Sequence, residues 1–413
     1  MELFSSYGII IACSVIIILS YIFNIISKRT SIPSVLLLIS TGILINLVFK
    51  ALDIQDFNFM PILELLGIVG LIMIVLEASL DLRLSGEKQG LIWRSFLIAL
   101  LSLIFTASFI ALILSVYLKT GLFEALIYAI PLSIISSAIV IPSTSGLDEE
   151  KKEFMIYEST FSDILGIMVF YFLLESASAE SVGEISLHLF VNVFGTVAVS
   201  FMVSYILILI FQNIRTQVKL FLLIAVLVLL YSLAKLMHLS SLMIVLVFGL
   251  VLQNRHIFFA GKLKSLLRED SLKEISNNFR IITLESAFIV RTFFFVIFGI
   301  TITLSSLYSW KVILVSIIIL LVIYGLRYLI FRILSVKNYF PEIFLAPRGL
   351  ITILLFYAIP GEIANDRFDP GVLLFIIIAS SMAMTFSLVK ARKRQNMETP
   401  FPGVNDTART DQV

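Results

Sequence analysis

The sequence predicts an all-α membrane protein that crosses the bilayer many times, and three observations predict it. Hydrophobic residues make up 59% of the 413-residue chain and charged residues only 14%, with a mean hydropathy of +1.06. Soluble domains carry nearer a quarter charged residues, so that class is excluded. Apolar runs of about 20 residues, the length that spans the hydrocarbon of a bilayer, recur along almost the whole chain. The segments between them are short, and their basic residues fall mainly at alternate junctions. The formal charge of +2 matters less than this distribution. A single cysteine, Cys13, allows no internal disulfide, and the three histidines show no metal-ligand spacing.

Taken in order, thirteen spans are predicted: 7–27, 33–50, 59–81, 91–118, 122–145, 154–174, 184–211, 218–234, 239–253, 275–303, 307–335, 341–360 and 369–391. The first starts near Tyr7 with no basic stretch before it, so it reads as a retained span and not a cleaved leader. Only the connection at 254–274 is long enough to hold extra structure. Its "IFFAGKLKSLL" reads either as a surface helix with basic residues between apolar ones or as a solvated loop. The end of the chain, 396–413, is polar and reads as a short cytoplasmic tail after a membrane domain covering 1–395. Counting each junction with the adjoining span ends, 23 of the 30 Lys and Arg fall on one side, 5 on the other and 2 inside spans. Positive residues concentrate in the cytoplasm, which predicts an N-terminus outside and a C-terminus inside.

Two spans are not smooth. The fifth, "ALIYAIPLSIISSAIVIPSTSG", has Pro131 and Pro142 with Ser136 and Ser137 between them. The twelfth, "PEIFLAPRGLITILLFYAIPG", has Pro341, Pro347 and Pro360, with Arg348 and Gly349 near its middle. Proline removes a helix donor and clashes with the preceding turn. These two broken spans lie seven apart and run in opposite directions. Spans 1–6 therefore read as repeated, inverted, in spans 8–13, with two broken, crossing helices. Six-helix inverted repeats of this kind are a transporter pattern.

Six ionisable residues stand out within the spans: Glu77, Glu158, Asp163, Glu285, Arg291 and Arg348. Each costs at least roughly 2.5–3.5 kcal/mol near a helix centre, so such groups pair or carry out chemistry. Asp163 sits on the order of 14 Å into its span, near the midplane, with Ser159 one helical turn before it. Glu158 and Ser162 lie on another face. Arg348 is roughly 10 Å deep from the same side, which allows a Glu158–Arg348 salt bridge. Asp163 is then left unpaired. A desolvated carboxylate is costly when bare and favours neutralisation by a proton or a monovalent cation. One group that takes either, never both, is the minimum chemistry of exchange. Glu285 and Arg291 face opposite ways on one helix and are expected to pair with other spans. Glu77 either lines an entry path or reaches to the interface.

These stretches resemble motifs of the sodium–proton exchanger superfamily of cation/proton antiporters, over nearly all of 7–391. "ESTFSD" (Glu158–Asp163) resembles the family's E-S-L-L-N-D motif, and "APRGL" (Ala346–Leu350) its G-[LP]-R-G motif. "FIVRTFFFVIFG" (Phe288–Gly299) resembles its tenth-span pattern, and "VLEASLDLRL" (Val75–Leu84) its acidic third span. The resemblance implies that Asp163 carries the ion and proton, with Ser159, Ser136 and Glu77 as further cation contacts and Glu158–Arg348 as a structural bridge. It also implies a homodimer. Each protomer would have an interface domain (7–81 and 218–303), a core (91–174 and 307–391) and a linker span (184–211). Two positions depart from the family pattern: Ser136-Ser137-Ala138 stands for Thr-Asp-Pro, and Ser162-Asp163 for Asn-Asp or Asp-Asp. Na⁺ (or Li⁺) exchanged one-for-one with H⁺ across the cell membrane is the expected activity. A K⁺/H⁺ exchanger is the alternative and a cation channel a more distant one. No enzyme motif, cofactor, resident metal or nucleic-acid partner is expected.

Overall fold

The computed structural model describes residues 6–30, 32–52, 59–84, 86–176, 182–214, 219–236, 241–302, 307–334, 339–365 and 367–398. Every long apolar run in them is helical, because inside a bilayer a helix satisfies its own backbone. The first four helices are α1 (Ser6–Thr30), α2 (Ser34–Ala51), α3 (Met60–Asp81) and α4 (Gln89–Leu118). The broken fifth span is α5 (Leu122–Ser133) and α6 (Ser137–Ser143), followed by α7 (Glu149–Ser176), α8 (Val182–Phe211), α9 (Lys219–Leu236) and α10 (Ser241–Gln253). Then come the single turn α11 (Arg255–Phe258), α12 (Glu269–Thr301), α13 (Trp310–Ile333), α14 (Leu350–Tyr357) and α15 (Gly371–Glu398).

No strand occurs among the described residues. There, nine helices, counting Leu122–Ser143 as one, are long and apolar enough to cross a membrane. Three more apolar helices are shorter: Gly195–Phe211, Leu220–Leu236 and Ser241–Gln253. The expected twelfth span is a 3-10 turn at Glu342–Phe344, an extended stretch, and then the eight-residue α14. The expected tail, 396–413, lies outside the described residues beyond the last turn of α15.

The connection at 254–274 is neither one surface helix nor a free loop. Phe259 is buried and packs edge-on to Tyr205, whose hydroxyl donates to the Phe258 carbonyl at 2.9 Å. These contacts fold α11 back onto α8, and a 3-10 turn (Gly261–Leu266) follows.

α12 lies along α2 and α3, while α4 packs on α5, α7 and α13. The α2–α12 contact is backbone on backbone. A Cβ on Gly42 would fall 2.1 Å from the Val296 carbonyl oxygen, and one on Gly299 would fall 2.4 Å from that of Ile39. Asn46 fastens the same seam by donating to the Ile300 carbonyl at 2.5 Å. Small residues allow this approach where lipid supplies no hydrophobic drive between helices. Gly42→Ala is therefore expected to cost about 1–3 kcal/mol through overpacking. Gly325→Ala, where an added Cβ meets nothing within 4 Å, is expected to be neutral or slightly stabilising. Thermal unfolding of the two purified variants in detergent checks the contrast.

Candidate ion-binding site

α5 stops at Ser133 and α6 starts at Ser137, with Ile134 and Ser136 in extended backbone. A break of this kind in an apolar setting strands backbone donors that must find partners. Three successive amides find them far away in sequence. Ile135 N–H donates to Ser162 Oγ at 2.9 Å, Ser136 N–H to the Pro347 carbonyl at 3.0 Å, and Ser137 N–H to Asp163 Oδ2 at 3.1 Å. The Pro347 carbonyl belongs to the extended stretch before α14, so the two broken spans meet at this point.

Helical geometry explains why α7 supplies two of these acceptors. Ser162, expected on another face from Ser159 and Asp163, instead shares theirs: at 100° per residue Ser159, Ser162, Asp163 and Gly166 fall within an arc of about 100°, and that face meets the break. Gly166 is needed there because a Cβ would fall 2.2 Å from Ile134 Cγ1. Ser159, Ser162 and Asp163 are all buried, at 0%, 2% and 1% exposure. Ser159 Oγ donates to the Met155 carbonyl at 2.7 Å, which leaves its lone pairs free to accept. Asp163 Oδ1 and Ser136 Oγ are buried with no hydrogen-bond partner among the described residues. Both are hard oxygens, one of them on a carboxylate, and hard oxygens are the donors that small monovalent cations take.

The expected Glu158–Arg348 bridge is not what the structure shows. Glu158 is held bidentately by Arg327 of α13, Nη1 to Oε1 at 2.5 Å and Nη2 to Oε2 at 2.8 Å. Arg327 also donates from Nε and Nη2 to the Glu342 carbonyl, at 3.2 and 3.0 Å, and stacks over Phe331 at 4.8 Å. Glu342 in turn pairs with Lys151 at 3.1 Å. Arg327 was missed because its position near the basic end of α13 counts it among cytoplasmic charges. It stands six residues inside the helix end, and that depth was the available signal.

Arg348 is equally buried but makes no ion pair among the described residues. Its Nε donates to the Leu132 carbonyl at 2.6 Å and its Nη1 to the Ala346 carbonyl at 2.8 Å. Leu132 lies at the C-terminal end of α5, where carbonyls lack helical partners and the helix dipole is negative. The guanidinium thus stabilises the break itself.

Glu77 on α3 pairs with Arg291 on α12, Nη2 lying 3.3 Å from Oε1 and 3.1 Å from Oε2. One turn further on, Asp81 accepts from Arg280 at 2.6 Å. Both pairs line a cavity of about 400 Å³ whose wall on the α6 side includes Ser137, the residue whose amide holds Asp163. Glu285, expected to pair with another span, instead lies on the exposed face of α12 with no ion pair among the described residues. A second cavity, about 640 Å³, opens at the other end of α3 around Glu64, Tyr171, Tyr231 and Tyr357.

Broken helices crossing at a buried carboxylate, inside a bundle of apolar helices, define a polytopic membrane transporter. The family model described as "Sodium/hydrogen exchanger, transmembrane" matches residues 14–391, and the chain belongs to that family of Na⁺/H⁺ antiporters. No curated protein matches its sequence. Its fold is similar to that of the sodium proton antiporter MjNhaP1 from Methanocaldococcus jannaschii at pH 8, with a TM-score of 0.67 and 22% identity over 95% of this chain and 100% of that one. A structure of the same antiporter from an electron-microscopy map matches with a TM-score of 0.65 and 20% identity, over 95% and 97% of the two chains.

Proposed function

We propose that the protein exchanges one Na⁺ for one H⁺ by alternating access, with Asp163 as the single group that carries both. The supporting observation is the buried Asp163 carboxylate, which has one oxygen held by the Ser137 amide and the other without a donor among the described residues. Ser136 and Ser159 complete the cation's oxygen shell, and Glu77 is a further contact from the cavity side. Glu158–Arg327 and Arg348 hold the fold around the site, and Ser162 and Ser137 set the shape of the break. In this reading 91–174 and 307–391 form the core that moves against 7–81 and 218–303, with 184–211 as linker. The protein functions as a homodimer in the cell membrane, N-terminus outside, so the cavity at Glu77 and Asp81 faces the cytoplasm.

Ser162 carries no charge and Arg348 keeps its own in any working pH range. The proton-loaded and cation-loaded states then have equal charge, and exchange is electroneutral. A net charge would couple to voltage by about 2.3 kcal/mol per 100 mV. Reconstituted protein is expected to move protons in response to a Na⁺ gradient with an end point that ignores an imposed diffusion potential. An end point that follows the potential refutes the one-for-one stoichiometry. Parallel Na⁺, Li⁺ and K⁺ gradients over a pH series test the choice of ion, and a response to K⁺ alone refutes the Na⁺ reading.

A further inference from the structure

Two arginines inside the bundle bind glutamates, the buried Arg327 and the half-buried Arg291, and they are held very differently. Arg327 makes two bonds to Glu158, two to the Glu342 carbonyl and a stacking contact to Phe331, and is fixed on all sides. Arg291 reaches Glu77 with one nitrogen only, Nη2, at 3.1 and 3.3 Å. Its Nε is buried and has no partner among the described residues. Two parallel bonds make a guanidinium–carboxylate pair directional and strong, whereas a single nitrogen shared between two oxygens gives a pair that is easier to open. The weak pair stands in the wall of the cavity that reaches Ser137, and the strong pair does not line it.

This difference in anchoring has a consequence for an entering cation. Glu77 and Asp81 are the carboxylates that line this cavity, and Glu77 lies one helical turn farther from the end of α3, with Ser137 in the same wall. Asp81 lies beside it, engaged by Arg280. While Arg291 is bonded to Glu77, that carboxylate already has a positive partner supplied by the chain. We propose that Arg291 is a tethered competitor of the transported cation: it occupies Glu77 in this state, must yield it as a cation enters, and so sets the apparent affinity for cations from this cavity. Arg291 is thus a positioning residue that acts through Glu77. This rests on the exchange reading above and adds a residue that tunes it. Weak cation binding on this side also favours release, which a transporter needs as much as capture. The buried donor at Nε, with no acceptor of its own, lowers the cost of moving the guanidinium away.

The test uses the full-length protein in proteoliposomes, with Na⁺ varied on the face that this cavity opens to and proton movement as readout. Wild type and Asp163→Asn come first. If the wild type shows no Na⁺-coupled proton movement, the exchange reading fails and the Arg291 variants are uninformative about it. If the wild type exchanges, Arg291→Gln is expected to lower the KM for Na⁺ at least about fivefold, the lower end of ordinary site–site coupling. The maximal rate is expected to stay level or fall as release slows. Glu77→Gln is expected to raise KM, and Glu77→Gln/Arg291→Gln to match Glu77→Gln within about twofold, because the arginine acts through that carboxylate. An unchanged or raised KM in Arg291→Gln overturns the proposal while leaving exchange intact. If Arg291→Gln does not fold, the double variant decides. It leaves no unpaired charge, and a KM more than about twofold away from that of Glu77→Gln refutes an action through Glu77.

Discussion

Asp163→Asn is expected to reduce Na⁺-driven proton movement to the level of protein-free liposomes, with a thermal unfolding temperature close to that of the wild type. Asparagine keeps a carbonyl oxygen where Oδ2 accepts the Ser137 amide at 3.1 Å, so the break between α5 and α6 stays capped. What it loses is the charge and the exchangeable proton. Asp163→Ala separates the two roles. It removes the acceptor as well and strands a buried N–H, at about 1–3 kcal/mol, so it is expected to be both inactive and less stable. Measurable exchange in Asp163→Asn would mean that another carboxylate carries the ion, and Glu77 and Asp81 are the two that line the adjoining cavity.

The second large effect concerns Glu158 and Arg327. Either Glu158→Gln or Arg327→Ala leaves a buried charge without its partner, a change of about 3–5 kcal/mol. In Arg327→Ala the Glu342 carbonyl loses two donors as well. A double-mutant cycle on unfolding is expected to show the pair strongly coupled, so that the double variant is milder than the sum of the singles. The same cycle between Glu158 and Arg348 is expected to give a much smaller term, because Arg348 is bonded to the carbonyls of Leu132 and Ala346. Equal coupling in both cycles would refute the assignment of Arg327 as partner.

The contrast between those two arginines shows what was legible in the sequence. Helix positions were readable because hydrocarbon imposes a length and an apolar composition on each segment: the run read as 91–118 is α4 (Gln89–Leu118), and that read as 7–27 is α1 (Ser6–Thr30). The broken regions were readable because prolines with polar neighbours mark them. The partner of Glu158 was not, because depth along a helix places a charge at a level in the membrane but not at an azimuth around the bundle. Arg327 and Arg348 are at comparable depth, and only packing selects between them. The Glu77–Arg291 pair joins residues 214 positions apart and was invisible for the same reason. The acceptors for Ile135, Ser136 and Ser137 were hidden for a different reason. A main-chain amide has no side-chain signature, so nothing in the letters "ISS" announces which oxygens they will need.

Glu285 shows a limit of a third kind. A charge at mid-helix suggests a partner within the chain, yet the residue lies on the exposed side of α12. The helical period correctly sets it on the face opposite Arg291, but periodicity does not say which of the two faces inward.

Positions 162 and 163 answer to two demands at once. Each offers an oxygen to a stranded amide, whatever else it does, and in the proposed exchange Asp163 also takes up and gives up its load. A change at either position that favours a different ion is therefore judged first by whether the break between α5 and α6 survives it. Ser136 Oγ, which has no hydrogen-bond partner among the described residues, and Ser159 Oγ, which donates only to the Met155 carbonyl of its own helix, carry no such obligation. Variation in ion preference, whether by drift or by engineering, has its freest room at those two hydroxyls.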